Sequence, residues 1–201
     1  CVRGVCIAGE CSPRRVTLGR QHTCVQDDGA LYCWGYGGDG KLGHGASGES
    51  YGDNELPSEA GAVAVGGDVV DMGGGNMTTC ALIENGDVRC WGHNSSPLGL
   101  GPSGPPSTNT FIGDDEIPTA YGPLQLGGPA VQVVVGDAHA CALLENGDVR
   151  CWGEGAKGRL GYGATDSVGK DQHPSSEDPV NIGAEVVQLA AGAAHTCALT
   201  S

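Results

Sequence analysis

The chain is poor in several things, and each shortage excludes a class. No apolar run approaches the ~18 residues that a membrane-spanning helix needs, and no stretch shows the 3.6-residue periodicity of an amphipathic helix. Lys and Arg number 10 against 24 Asp and Glu, for a net charge of −14. That balance disfavours binding to a phosphate backbone or to an anionic membrane surface. Aromatic residues make up 4% of the chain, while Gly 37 and Pro 11 carry the composition toward the low-complexity range. The glycines nevertheless fall at repeated positions instead of in tracts, which argues against disorder. There is no initiator Met and no signal peptide, so the expectation is a mature or excised piece of a longer protein. Cysteine is the residue in unusual supply: 10 of them, many for a cytosolic chain and typical of an oxidising compartment.

One stretch is written out repeatedly. Its clearest copy is Cys141-Ala-Leu-Leu-Glu-Asn-Gly-Asp-Val-Arg-Cys-Trp-Gly153, which returns as Cys80-Ala-Leu-Ile-Glu-Asn-Gly-Asp-Val-Arg-Cys-Trp-Gly92. A looser copy is Cys24-Val-Gln-Asp-Asp-Gly-Ala-Leu-Tyr-Cys-Trp-Gly35, and a truncated one begins at Cys197. Successive first cysteines lie 56, 61 and 56 residues apart, and self-similarity at such a period signals a repeat architecture. Each copy has an aliphatic run, a turn signal and a second short run, the grammar of a hairpin. Glu-Asn-Gly predicts a three-residue loop ending in a left-handed Gly. That register sets Leu143 opposite Val149 and Cys141 opposite Cys151. In the shorter first copy a two-residue Asp28-Gly29 loop sets Gln26 opposite Leu31 and Cys24 opposite Cys33. Opposed residues on antiparallel strands are close enough for a disulfide. The expected bonds are therefore Cys24–Cys33, Cys80–Cys90 and Cys141–Cys151; buried free thiols are the alternative.

Residues 1–13 stand apart, with Cys1, Cys6 and Cys11 evenly spaced before Ser12-Pro13, the tail of a truncated cysteine-rich module. From residue 14 to 201 each repeat carries four strand-like runs. The first holds Val16, Met72, Val133 and Leu189, each followed three residues later by Gly19, Gly75, Gly136 or Gly192, which mark a bulge or a close backbone approach. The second and third are the hairpin. The fourth alternates apolar residues: Val63/Val65, Leu124/Leu126 and Val180/Ile182. Four short strands per repeat without helical periodicity predict an all-β chain of β-propeller blades. Long loops over about 46–61, 102–122 and 164–178 also recur, as Tyr51-Gly-Asp-Asn-Glu-Leu-Pro57, Ile112-Gly-Asp-Asp-Glu-Ile-Pro118 and Val168-Gly-Lys-Asp-Gln-His-Pro174.

Gly-x-x-His-Thr-Cys-x-Leu, then Asn-Gly-x-Val-x-Cys-Trp-Gly, then Gly40-Lys-Leu-Gly-His-Gly45 and Gly158-Arg-Leu-Gly-Tyr-Gly163 resemble the regulator of chromosome condensation repeat. The resemblance covers 14–201 and implies a seven-bladed propeller. At ~58 residues per repeat the chain would hold about three and a half four-stranded blades, an incomplete ring ending inside a hairpin at Cys197. The cysteine pairs and the Gly-Asp-Asp-Glu loop resemble a secreted, disulfide-bearing bacterial branch found in large surface proteins. A photoreceptor branch carries Trp in Gly-Trp-Arg-His-Thr motifs; here Gly19-Arg-Gln-His-Thr23 and its copies have none, so light sensing is not expected.

Among candidate sites, His22, His139 and His195 each precede a hairpin cysteine by two residues. A Cys/His nucleophile needs a thiolate beside the imidazole, and a zinc site needs converging ligands. Cysteines with opposed partners and residues spread around a ring oppose both, so each His is expected to be buried and hydrogen-bonded to neighbouring backbone. Trp34, Trp91 and Trp152 follow the second hairpin cysteine and are expected between blades. Asp53, Glu55, Asp114, Asp115 and Glu116 offer hard oxygen ligands suited to calcium, with solvated turn chemistry as the favoured reading and no cofactor expected. Binding is placed on the same loops, at Tyr51, Asp53, Glu55, Phe111, Ile112, Asp114, Asp115, Glu116 and Tyr121, because loops held by a rigid scaffold carry recognition. The expected function is a non-enzymatic interaction propeller, secreted or at the cell surface, with a protein or cell-surface partner and neither nucleic acid nor membrane insertion. A purely architectural spacer is the second reading. Guanine-nucleotide exchange with chromatin binding is a third, opposed by the charge and the cysteines.

Overall fold

In the computed structural model the described residues are 5–7, 10–12, 15–46, 48–94, 98–105 and 111–201. Cys1, Pro13, Ser96, Pro97 and parts of the first two long loops lie outside them. The described residues form fourteen strands: β1 (Val5–Ile7), β2 (Glu10–Ser12), β3 (Arg15–Leu18), β4 (His22–Asp27), β5 (Ala30–Gly35), β6 (Val69–Gly74), β7 (Thr78–Ile83), β8 (Val88–His93), β9 (Phe111–Ile112), β10 (Ala130–Val135), β11 (His139–Leu144), β12 (Val149–Gly153), β13 (Val186–Ala191) and β14 (Thr196–Thr200). Pairing is antiparallel throughout, in sheets β3-β4-β5, β6-β7-β8-β9, β10-β11-β12 and β13-β14, with β1-β2 a separate hairpin in which Cys6 faces Cys11. Only short 3₁₀ turns interrupt the strands among the described residues. No helix there is long and apolar enough to cross a membrane.

The hairpins follow the local turn chemistry. Asp28 and Gly29 both take positive φ, at 52° and 79°, as a two-residue hairpin loop demands. In the later copies only Gly86 (φ 86°) and Gly147 (φ 88°) do so, closing Leu144 onto Asp148 through a 2.8 Å amide–carbonyl bond. Cys24 thereby faces Cys33, Cys80 faces Cys90 and Cys141 faces Cys151. All three pairs are disulfides, with Cα atoms 4.0–4.1 Å apart.

β3, β6, β10 and β13 lie side by side as the inner strands. They approach so closely that a Cβ added at Gly75 would stand 2.1 Å from the Gly136 carbonyl oxygen, and one at Gly136 2.6 Å from that of Gly192. The recurrent glycine is thus kept for space, as the sequence pattern implied. Polar clasps add to this packing: Asp71 pairs with Arg15 at 2.8 Å and accepts the Val133 amide at 3.1 Å, joining three repeats. Gln132 accepts the Leu189 amide at 2.7 Å and donates to its carbonyl at 3.0 Å. Trp91 and Trp152 are fully buried between repeats; the Trp91 indole donates to the Lys41 carbonyl at 3.0 Å.

One expectation about the strands needs correction. Val63/Val65 and Leu124/Leu126 form no ladder strand; each run gives one amide bond to the hairpin, Val63 to Leu31 (2.7 Å) and Leu124 to Val88 (2.9 Å). All four side chains are buried, so the run lies across the blade as core filling. The fourth-strand place is taken by the start of the long loop instead: β9 in the second repeat, and single bridges Gly35↔Tyr51 and Gly153↔Val168 in the others.

Candidate functional site

Each long loop leaves the end of the hairpin opposite its turn, and the second and third cross onto the preceding repeat. Gly45 donates to the Gly113 carbonyl at 3.2 Å and Gly101 to that of Gly169 at 3.0 Å. A side chain at Gly40 (φ 69°) would stand 2.5 Å from the Ile112 carbonyl oxygen. The acidic triplet of the second repeat is therefore seated on the Gly-Lys-Leu-Gly turn of the first, and the Lys170/Asp171/Gln172 loop on the matching turn of the second.

Asp53 and Asp115 are exposed while Glu55, Asp114 and Glu116 are half-buried, and three of these carboxylates serve local turns. Asp53 accepts the Asn54 amide at 2.8 Å, Glu55 the Gly52 amide at 2.7 Å, and Asp114 the Asp115 amide at 2.9 Å. Oxygens of Asp114, Asp115 and Glu116 lie within 4.8 Å of one another. Three partly exposed carboxylates fall short of the six to eight oxygens that calcium takes, so the residues present fit turn chemistry better than a cation cage.

The apolar candidates are less free than their loop position implied. Tyr51 donates to Glu49 at 3.1 Å and packs edge-on to His44 at 4.9 Å; burial first, and then Glu49, pushes its hydroxyl pKa up. Phe111 meets His93 edge-on at 5.0 Å. Tyr121 is half-buried and its carbonyl accepts Arg89 at 2.6 Å. Ile112 is only 1% exposed and belongs to the core, so it cannot serve as a surface anchor. The residues that stand out are Leu56 and Ile117, 65% and 41% exposed. Each precedes a proline, which holds it extended (ψ 144° and 160°) with its side chain outward. The recurrent apolar-Pro pair in the loop motif was the available signal.

His22 and His139 are buried as expected, whereas His195 on the last hairpin is exposed because no further repeat covers it; the partners of the two buried rings also differ from those expected. His22 Nε2 lies 2.8 Å from Thr79 Oγ1, and His139 Nε2 2.9 Å from Thr196 Oγ1. Each threonine sits on the next repeat and gives its one proton to a main-chain carbonyl, Lys41 at 2.8 Å and Arg159 at 3.2 Å. Each imidazole must therefore donate from Nε2, and burial keeps it neutral near pH 7. Burial, helped by the Lys41 and Arg159 cations, lowers both pKa values to about 4. The cysteines two residues on, Cys24 and Cys141, are oxidised, and no thiolate stands ready beside these rings.

Successive small antiparallel sheets packed side by side through their inner strands define part of a β-propeller. The chain belongs to the regulator of chromosome condensation repeat family: models of that repeat match residues 28–82 and 146–199, and a second one 130–159. The human E3 ubiquitin-protein ligase HERC2 is 34% identical over 179 residues, covering 88% of this chain and 3% of that protein. The ultraviolet-B receptor UVR8 of Arabidopsis thaliana is 32% identical over 194 residues, covering 94% and 40%. Among solved structures, the Saccharomyces cerevisiae protein Prp20p, described with its binding to Gsp1p and histones, superimposes with a TM-score of 0.70 at 18% identity, covering 92% of this chain and 42% of that one. The chain thus spans less than half the length of each.

Proposed function

We propose that the chain is a non-catalytic protein-recognition propeller acting in an oxidising compartment, secreted or displayed at a bacterial cell surface, and that its long acidic loops bind a basic partner. One observation carries the reading: the loop places an exposed aliphatic side chain near an exposed carboxylate in two successive repeats, Leu56 with Asp53 and Ile117 with Asp115. Charge around a small apolar anchor gives on-rate and specificity together. The three disulfides support the compartment. Protein binding by relatives such as Prp20p supports the class of partner, and the −14 charge weighs against nucleic acid.

The test is the variant Asp114→Asn, Asp115→Asn, Glu116→Gln in the longest form of the protein that can be expressed. Partner or cell-surface binding should weaken about tenfold at low salt and lose most of its salt dependence. Unchanged binding in this variant and in its Asp53/Glu55 counterpart would favour a purely architectural spacer.

A further inference from the structure

The other end of the blades presents a second surface. There the hairpin turns are stitched to the inner strands: Val69 donates to the Gly29 carbonyl at 2.8 Å, Ala130 to Gly86 at 2.9 Å, Glu84 to Asp68 at 2.9 Å and Glu145 to Pro129 at 2.9 Å. Each inner strand from the second repeat on carries a bulge at this point, between Val69 and Asp71, Ala130 and Gln132, Val186 and Gln188. A bulged residue leaves the ladder and is re-aimed. The residue is Val in all three, and Val70, Val131 and Val187 are 43%, 54% and 50% exposed. Because β6, β10 and β13 are neighbours, these valines form a stripe at one register. Segments 27–30, 68–70, 84–87, 129–131, 145–148 and 185–187 contain no Lys or Arg. They present the exposed carboxylates of Asp28, Asp68, Glu84, Glu145 and Glu185. Asp28, Asp68, Val70 and Glu84 also line a cleft of about 270 Å³.

We propose that this surface docks a cationic, aliphatic segment of a protein partner, its apolar side chains on the Val70–Val131–Val187 stripe and a Lys or Arg in the cleft between Asp28, Asp68 and Glu84. A solvated bulge has no need of a β-branched aliphatic residue, and the stripe leaves that apolar area to be covered. Exposed carboxylates on both sides select the sign of what covers it and repel anionic membranes and nucleic acid. The surface lies at the opposite rim from the long loops and stands whether or not those loops bind.

The experiment titrates the 201-residue chain with a fluorescent Lys/Leu peptide and a Lys/Ser peptide of equal length and charge. Lys/Leu should bind about tenfold tighter, the effect of covering roughly 60 Å² of apolar surface. Val131→Ser with Val187→Ser should abolish that margin and leave Lys/Ser binding intact, with an unchanged circular-dichroism spectrum showing that the variant is folded. Glu84→Gln with Glu145→Gln should weaken both peptides and flatten the salt dependence. The proposal is overturned if wild type shows no preference for Lys/Leu, or if the valine variant retains it. It is equally overturned if the Asp114/Asp115/Glu116 variant, and not the turn variants, loses the peptides.

Discussion

At two junctions a His and a Thr from successive repeats meet, and at the third both are replaced. His22 pairs with Thr79 and His139 with Thr196, whereas the intervening junction has Thr78 in the His place and Ala140 in the Thr place. Loss of one partner alone would leave a buried donor or acceptor unmet, at a cost of about 1–3 kcal/mol. The sequence showed which His is absent, but the strand face alone did not reveal that its partner is a hydroxyl 57 residues on. These neutral imidazoles make stability depend on acidity. Their folded pKa of about 4 lies below the ordinary histidine value of 6.5, so between those values the unfolded chain binds the extra protons. Stability is complete above pH 6.5 and falls as pH drops toward 4, by on the order of 3 kcal/mol per His at most. Urea unfolding at a series of pH values should show this slope, reduced in His22→Gln and again in the double variant with His139→Gln. A double variant as steep as wild type would assign the slope to other groups.

At the scale of the strand, what depends on adjacent residues was legible and what depends on distant ones was not. Turn length and cysteine separation shift together, nine residues across Asp28-Gly29 and ten across Glu-Asn-Gly, so hairpin register and disulfides follow from counting. Alternation at Val63/Val65 reports burial and not ladder pairing; the fourth-strand place depends on where a loop from the same repeat returns, which no local pattern encodes. The bulges at Val70, Val131 and Val187 are invisible for the same reason. Two glycines separate local from distant constraint experimentally. Gly147 has nothing within 4 Å of its would-be Cβ but sits at φ 88°, so Gly147→Ala should cost only the left-handed penalty, about 1–2 kcal/mol. Gly136 needs no special φ, yet a Cβ there would lie 2.3 Å from the His139 ring and 2.6 Å from the Gly192 oxygen. Gly136→Ala should therefore cost about 3 kcal/mol or more through forced separation of repeats. The reverse order in denaturant midpoints would mean the junction is looser than its contacts imply.

For the molecule as a whole, the decisive contrast is between inner and outer repeats. Trp91 and Trp152 are sealed between blades, while Trp34, at the equivalent place in the first repeat, is half exposed beside Tyr32, Val25 and Pro57 in an open hollow. On the same side Val16 and Leu18 of β3 are 63% and 69% exposed. At the far end Leu199 and the free Cys197 are exposed on β14, next to a hollow lined by Leu160, Val180, Leu189 and Ala198. The recurrent loop motif made the acidic rim legible, but which aliphatic side chains it exposes depends on the loop's seat on the preceding repeat. Two apolar faces and an unpaired strand edge favour self-association. The carboxylates that give the chain its −14 charge oppose association at low salt. The 201-residue chain should accordingly form oligomers at micromolar concentration by light scattering, and more of them as salt screens the repulsion. Cys197→Ser should remove disulfide-linked dimers and leave this association in place. A monodisperse monomer at physiological salt would mean that these end faces are covered from within the chain.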